Sequence, residues 1–212
     1  FGISRAADNI SGPAAFTIAI ALILMSFAPK FAASIAGLRV PTLPTAGQDL
    51  SVSDNGLQDL TTAAHRAQIL YSAQILALTF IAAGLIIFTA HQELVPTLFA
   101  FTTAIAALLH SIRQDRAIPT WSLMVLACAA TLTTVFSVTR QGESWSALLL
   151  GCAIACTTVT VAIWVSRIPT PEPTTIVWLE RIESLCVAAT PPLALHLLDV
   201  FGMLRAMHIG LG

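Results

Sequence analysis

The chain has 212 residues, of which 10 are Lys or Arg and 11 are Asp or Glu, so charged residues make up only 10% of the sequence. Soluble domains carry about 25% charged residues, and a chain with a mean hydropathy of +0.83 has too few polar groups to cover a water-exposed surface. The composition therefore argues against a soluble enzyme. The net charge of -1 provides neither a basic surface for nucleic acid nor an acidic tail for cations.

Six apolar stretches follow one another along the chain, separated by turn-forming residues. They cover residues 12–37, 57–90, 94–113, 119–139, 146–166 and 174–207. A helix needs about 20 apolar residues to cross a bilayer, so six helices leave only short connectors. The sequence predicts an all-α, polytopic membrane protein with six transmembrane helices. Residues 1–38 form an external lead-in and the first helix, which is expected to start at Pro13, residues 39–56 form a loop, and residues 57–212 form five further helices.

The distribution of cationic side chains predicts the orientation in the membrane, because cytoplasmic loops are enriched in Lys and Arg. If the first helix runs from outside to inside, seven cations lie at cytoplasmic ends and three lie outside. The seven are Lys30, Arg39, Arg66, Arg113, Arg116, Arg167 and Arg181, and the three are Arg5, Arg140 and Arg205. We therefore expect a plasma-membrane protein in which the N- and C-termini of this segment are external and the loop 39–56 is cytoplasmic.

The second and sixth stretches are longer than a bilayer requires, and their polar residues gather at the N-terminal ends. Together with the loop 39–56, these two extensions predict a polar cytoplasmic platform for partner proteins. Arg181 and Glu183 are two residues apart and do not face each other on a helix, so each is free to meet a partner or solvent; catalysis is disfavoured. The candidate partner contacts are Arg39, Asp49, Asp54, Asp59, Arg66, Glu180, Arg181 and Glu183.

Ionisable residues inside a span are functional candidates because their burial in the membrane is costly. His196 and Asp199, about one turn apart in the sixth stretch, could relay a proton if they faced a wet cavity; the alternative places both at the external interface. His110 is expected at the cytoplasmic interface beside Arg113. Pro191 and Pro192 predict a kink in the sixth helix.

No catalytic, cofactor-binding or metal-binding motif is found: phosphate loops, hydrolase elbows and zinc-binding helices are all missing from the sequence. The cysteines lie in apolar runs without ligand spacing and are interpreted as packing residues. They are Cys128, Cys152, Cys156 and Cys186.

Three segments together resemble a known family. The first span ends in APKFAASIAGL (28–38), followed by VPTLP (40–44) and GQDL (47–50); a long helix comes next; and the chain closes with LERIE (179–183), PPLAL (191–195) and VFGMLR (200–205). This combination is similar to the C-terminal half of EccD, the polytopic membrane component of the type VII (ESX) secretion system. The similarity covers nearly the whole chain, but it consists of loose apolar patterns.

The resemblance implies a longer protein, with an N-terminal ubiquitin-like domain and eleven spans of which these are the last six. A first residue Phe1 rather than Met fits that expectation. The family implies a homodimer around a lipid-lined cavity, beside EccB, EccE and the EccC ATPase that supplies energy, with no active-site residues to carry over. Half of a proton-coupled transporter using His196 and Asp199 is the alternative, and a membrane-embedded enzyme ranks third.

Overall fold

The computed structural model describes residues 2–37, 54–91, 93–114, 116–141 and 173–200. These residues form five helices and no strand, which confirms the predicted all-α class for the described part of the chain. The helices are α1 (Gly2–Ile35), α2 (Asp54–Ile86, followed by a 3-10 turn at Ile87–Thr89), α3 (Leu94–Ile112), α4 (Ala117–Gln141) and α5 (Pro173–Leu197). The predicted span 146–166 lies outside the described residues, so the count of six helices is not confirmed.

Two predicted helix ends are wrong. The first helix begins at Gly2 rather than near Pro13, and Pro13 lies inside it; a proline inside a helix removes one backbone donor without necessarily ending the helix. At the other end of the chain, α5 ends at Leu197, and residues 201–207 of the predicted helix lie outside the described part. Asp199 takes a left-handed φ of 53°, and its N–H donates to the carbonyl of His196 at 3.0 Å, which closes a turn.

Four of the helices are long and apolar enough to cross a membrane within the described residues. The candidate spans are Ile10–Ile35, Leu60–Thr89, Leu94–Ile112 and Ala117–Thr139. The predicted sixth span corresponds to α5, which is not among them and which carries Glu180, Arg181 and Glu183 in its first half. The helices pack in the circular order α1, α2, α4, α3, α5 and back to α1.

The core is built mainly from small residues, which let the helices approach closely. Alanines dominate the buried set, and one larger side chain, Phe99, is fully enclosed on α3. Interfaces rich in small residues are typical of helix packing in membranes, where dispersion contacts replace the hydrophobic effect between helices. The buried alanines of the core are Ala15, Ala19, Ala21, Ala28, Ala82, Ala100, Ala104, Ala107, Ala127, Ala130 and Ala194.

Buried threonines on α4 satisfy their hydroxyl groups on their own helix. Thr131 Oγ1 donates to the carbonyl of Ala127 at 2.7 Å, and Thr133 and Thr134 bond to Ala129 and Ala130 in the same way. The hydroxyl groups therefore do not compete for partners in the core, and the threonines serve as small packing residues. Cys128 and Cys186 are free thiols in the described part of the chain.

Pro191 and Pro192 lie inside α5 without ending it. Pro191 cannot donate an N–H to the carbonyl of Val187, four residues earlier. The hydroxyl of Thr190 donates to that carbonyl at 2.8 Å. The carbonyl that Pro191 leaves without a backbone donor is thus satisfied within the helix.

Candidate functional site

Polar side chains concentrate at one end of the helices, which we call the arginine end. There α1 ends, α2 begins, α3 ends, and α4 and α5 begin. Contacts between side chains of α2, α3 and α5 place these ends together. The cationic residues at this end are Lys30, Arg66, Arg113, Arg116 and Arg181.

Glu183 forms the centre of an ion-pair network that joins α3 to α5, here called the Glu183 cluster. His110 Nδ1 lies 2.6 Å from Glu183 Oε1, and Arg113 Nη1 donates to Glu183 Oε2 at 2.9 Å. The second guanidinium nitrogen, Arg113 Nη2, is 2.9 Å from Glu180 Oε1. The Glu183 side chain is 9% exposed, whereas that of Glu180 is 46% exposed. The buried carboxylate therefore has a partner at each oxygen, which offsets the cost of removing it from water.

The expectation that Glu183 contacts a partner protein is corrected by this geometry. Its side chain is buried and points into the chain, so its carboxylate is not available to another subunit. The sequence argument correctly separated Glu183 from Arg181, but it considered only neighbours on the same helix. The actual partners of Glu183 lie 70 and 73 residues earlier. His110, expected only as an interfacial side chain, belongs to the same cluster.

A second set of contacts joins α2 to the turn between α3 and α4. Tyr71 donates its hydroxyl proton to Gln114 Oε1 at 2.8 Å, and Gln114 Nε2 donates to the carbonyl of His110 at 3.3 Å. Arg116 Nη2 donates to Gln68 Oε1. These side chains surround a cavity of about 280 Å³, here called the Arg116 cavity. Its lining consists of Pro29, Gln68, Tyr71, His110, Arg113, Gln114 and Arg116.

The structure describes some of the other residues that are predicted to contact partner proteins, but not all of them. Arg66 and Arg181 are exposed, and the Arg181 guanidinium lies over the ring of Trp178, 5.5 Å from its centroid. The backbone of Asp54 and Asp59 belongs to α2, while their side chains fall outside the described part. Arg39 and Asp49 lie outside the described residues altogether.

His196 and Asp199 do not form an enclosed relay. Both are exposed, His196 in the last turn of α5 and Asp199 in the turn that follows. A proton pathway through a membrane needs ionisable groups that face an internal wet cavity. The exposed positions therefore do not favour the transporter alternative. Among the described residues, no three His, Cys, Asp or Glu side chains come together as metal ligands.

The comparison with known families decides what kind of membrane protein this is. The EccD-like transmembrane domain matches residues 6–207. The chain belongs to the EccD family. It is a multi-pass membrane protein of that family, which confirms the resemblance carried by the first span, the loop and the closing segments.

A solved structure shares the fold of this EccD-like domain. The structure of protomer 1 of the ESX-3 core complex matches 90% of the chain with a TM-score of 0.62 and 18% sequence identity. The match covers 45% of the protomer chain, so this EccD-like domain spans less than half the length of the structure that it resembles. Among curated proteins, no significant match is found.

The Glu183 cluster could have been suspected from the sequence by one observation only. His110 and Arg113 end one apolar stretch, and Glu183 lies near the start of another, at the same predicted side of the membrane. Opposite charges at one level of two helices favour pairing when those helices are neighbours. The sequence does not specify which helices are neighbours, and the pairing was therefore missed.

Proposed function

We propose that this EccD-like domain is a non-catalytic membrane component of a type VII secretion complex. The observation that carries the proposal is the family match over residues 6–207, and the fold shared with a protomer of the ESX-3 core complex supports it. On the family resemblance, the domain forms part of an inner-membrane platform beside EccB, EccE and the EccC ATPase, as one half of a homodimer. Membrane lipid surrounds the helices.

We further propose that the arginine end faces the cytoplasm and contacts partner subunits. Five cationic residues lie at this end, in accord with the enrichment of Lys and Arg on the cytoplasmic side. Helix α2 begins at Asp54, 14 residues before Gln68, which lies at the level of the Arg116 cavity. At 1.5 Å per residue, this segment extends about 21 Å beyond that level. The first ten residues of α5 extend about 15 Å beyond Glu183 in the same way.

The exposed side chains of these two extensions form the proposed contact surface. On α5, Trp178 is 62% exposed and Ile182 is 46% exposed, with Arg181 beside them. Aromatic and Arg residues are enriched in protein interfaces. On α2, Arg66 is exposed in the corresponding extension. Glu183 is excluded from this surface because it is buried, whereas the half-exposed Glu180 remains part of it.

Charge reversal at Arg181 tests this surface. We expect Arg181→Glu to reduce the yield of co-purified membrane partners and ATPase subunit severalfold in mild detergent, while the protein still inserts into the membrane. Arg181→Lys is the matched control, because it keeps the positive charge, and it should retain most of the partners. Equal recovery of partners with both variants would remove the proposed surface. A wild-type protein that purifies alone would contradict the membership of a complex.

A further inference from the structure

The Arg116 cavity has an unusual lining for a protein with so few polar residues. Six of its lining residues carry polar side chains, and the seventh is Pro29. Its volume is about 280 Å³. A phosphate group with its ester oxygens and part of a glycerol fits into such a space.

The two arginines that line the cavity differ in how far their positive charge is neutralised by carboxylates. Arg113 is paired with both carboxylates of the Glu183 cluster, so its positive charge is neutralised inside the chain. Arg116 has a neutral acceptor, Gln68 Oε1, and within the described residues no carboxylate lies at ion-pair distance from it; Asp115 is outside them. Arg116 is also exposed. Its guanidinium therefore retains donors and charge for an anion.

Other groups of the lining add hydrogen-bonding capacity beside Arg116. Gln68 uses its carbonyl oxygen for Arg116, which leaves its amide N–H groups as donors. Nε2 of His110 is buried and has no hydrogen-bond partner in the described part of the protein. A guanidinium and amide donors are the groups that recognise phosphate oxygens in proteins.

The position of the cavity indicates which phosphate can reach it. The candidate span on α3 ends at Ile112 and that on α4 begins at Ala117, so the cavity lies where a transmembrane helix passes from hydrocarbon to headgroups. A neighbouring cavity shares Pro29, His110 and Arg113 with the Arg116 cavity and is also lined by the apolar side chains of Ile23, Phe27 and Val187. These side chains provide an apolar surface for acyl chains beside the Arg116 cavity.

We propose that the Arg116 cavity binds the phosphate of an anionic membrane lipid, with Arg116 and Gln68 as its principal ligands. Basic pockets between transmembrane helices at the cytoplasmic side bind anionic headgroups in other membrane proteins. The acyl chains lie against the apolar side chains of α1 and α5 that line the neighbouring cavity. Trp178 and Arg181 of the contact surface do not line the cavity, whereas Arg113 lines it and is paired with Glu180 of that surface.

Lipid retention by the purified protein tests this site. Native mass spectrometry in detergent is used to titrate phosphatidylglycerol and phosphatidylcholine with the same acyl chains. We expect preferential retention of phosphatidylglycerol. Removing one guanidinium near the membrane surface by Arg116→Gln should weaken phosphatidylglycerol binding about fivefold, with phosphatidylcholine unchanged. Gln68→Leu should weaken it as well, and it provides a second variant if Arg116→Gln does not fold.

The matched control is Arg66→Gln, which removes an exposed arginine from α2 that does not line the cavity, and it should leave retention unchanged. Inorganic phosphate is the probe that separates the two sources of phosphate. If it displaces phosphatidylglycerol at equal concentration, the site binds a free anion and the lipid proposal is overturned. Equal retention of both lipids, or equal losses in Arg116→Gln and Arg66→Gln, also overturns it.

Discussion

At the residue scale, Glu183 is the most constrained polar group that the structure describes. A buried carboxylate is tolerated only when its charge is matched, and Glu183 has His110 on one oxygen and Arg113 on the other. Such a pair contributes little net stability compared with an apolar core, but the loss of one member is costly because the rest stays buried and uncompensated. The cluster therefore specifies how α3 and α5 meet more than it strengthens their contact.

Neutralising this carboxylate should destabilise the protein. Glu183→Gln keeps the volume of the side chain but removes two charge-assisted hydrogen bonds, so we expect a loss of about 1.5–3 kcal/mol. The measurement is the thermal or denaturant unfolding midpoint of the purified protein in detergent. Glu180→Gln is the matched control: it touches the same arginine from a half-exposed position and should cost about 0–1 kcal/mol. Equal effects of the two variants would show that burial does not distinguish the two carboxylates.

The chemistry of this site could be predicted from the sequence only in part. The sequence indicated that polar groups collect at one end of the membrane helices, and it selected Glu180, Arg181 and Glu183. It could not show that Glu183 is inside and Arg181 outside. That difference depends on the rotation of α5 about its own axis, which is set by the packing of Ala194 and Cys186 against the other helices.

At the element scale, the contact between α1 and α5 depends on a glycine. A Cβ atom built on Gly12 would lie 2.8 Å from the carbonyl oxygen of Leu197 and 3.0 Å from the Cα of Leu198. Both are backbone atoms, which cannot move aside as a flexible side chain can. Close helix approaches of this kind are the common use of small residues in membrane proteins.

Filling this position should therefore be destabilising. We expect Gly12→Ala to cost about 1–3 kcal/mol, because the helices must separate to accept the methyl group. Gly84→Ala is the matched control, since nothing lies within 4 Å of its added Cβ and alanine is the better helix former by about 0.5–1 kcal/mol. The unfolding midpoints of both variants should shift in opposite directions. A stabilising Gly12→Ala would contradict the close approach of α1 and α5.

The helix bounds were predicted correctly where turn-forming residues lie at both ends of an apolar stretch. The predicted spans 94–113 and 119–139 agree with α3 and α4 within two residues at each end, because charged and polar residues separate them. It failed at the start of α1 and the end of α5. Pro13 was taken as a start signal, although a proline can also lie inside a helix. The turn at Asp199 contains neither glycine nor proline, and the one turn-forming residue there, Asp199 itself, was interpreted as part of the helix.

At the scale of the whole molecule, the two ends of the helices lie on opposite sides of a membrane: α1 and α3 run toward the arginine end, and α2, α4 and α5 run away from it. Five cations lie at the arginine end, and the turn that contains Glu93 lies at the other end, between α2 and α3. The family and the apolar helices establish a multi-pass protein, whereas the direction in which it crosses is our proposal. This direction can be tested with pairs of introduced cysteines.

We expect Thr45→Cys to react with a membrane-impermeant maleimide in inside-out vesicles and to be protected in right-side-out vesicles. Position 45 lies between α1 and α2, in a segment that the charge distribution predicts to be cytoplasmic. Glu93→Cys is the matched control from the other end and should show the reverse pattern. The unmodified protein gives the background from its native cysteines. Reversed patterns for both positions would invert the proposed orientation.

The circular order of the helices has a consequence for the time course of synthesis. Because α1 and α3 both pack against α5, neither has its full set of neighbours until the last described helix has left the ribosome. The 70 residues between Arg113 and Glu183 take about 4–14 s to translate at ~5–20 residues per second. During this interval His110 and Arg113 lack the carboxylate of Glu183. The small-residue faces of α1 and α3 that later pack against α5 are in contact with lipid. The helix bundle can therefore be completed only after α5 has been synthesised.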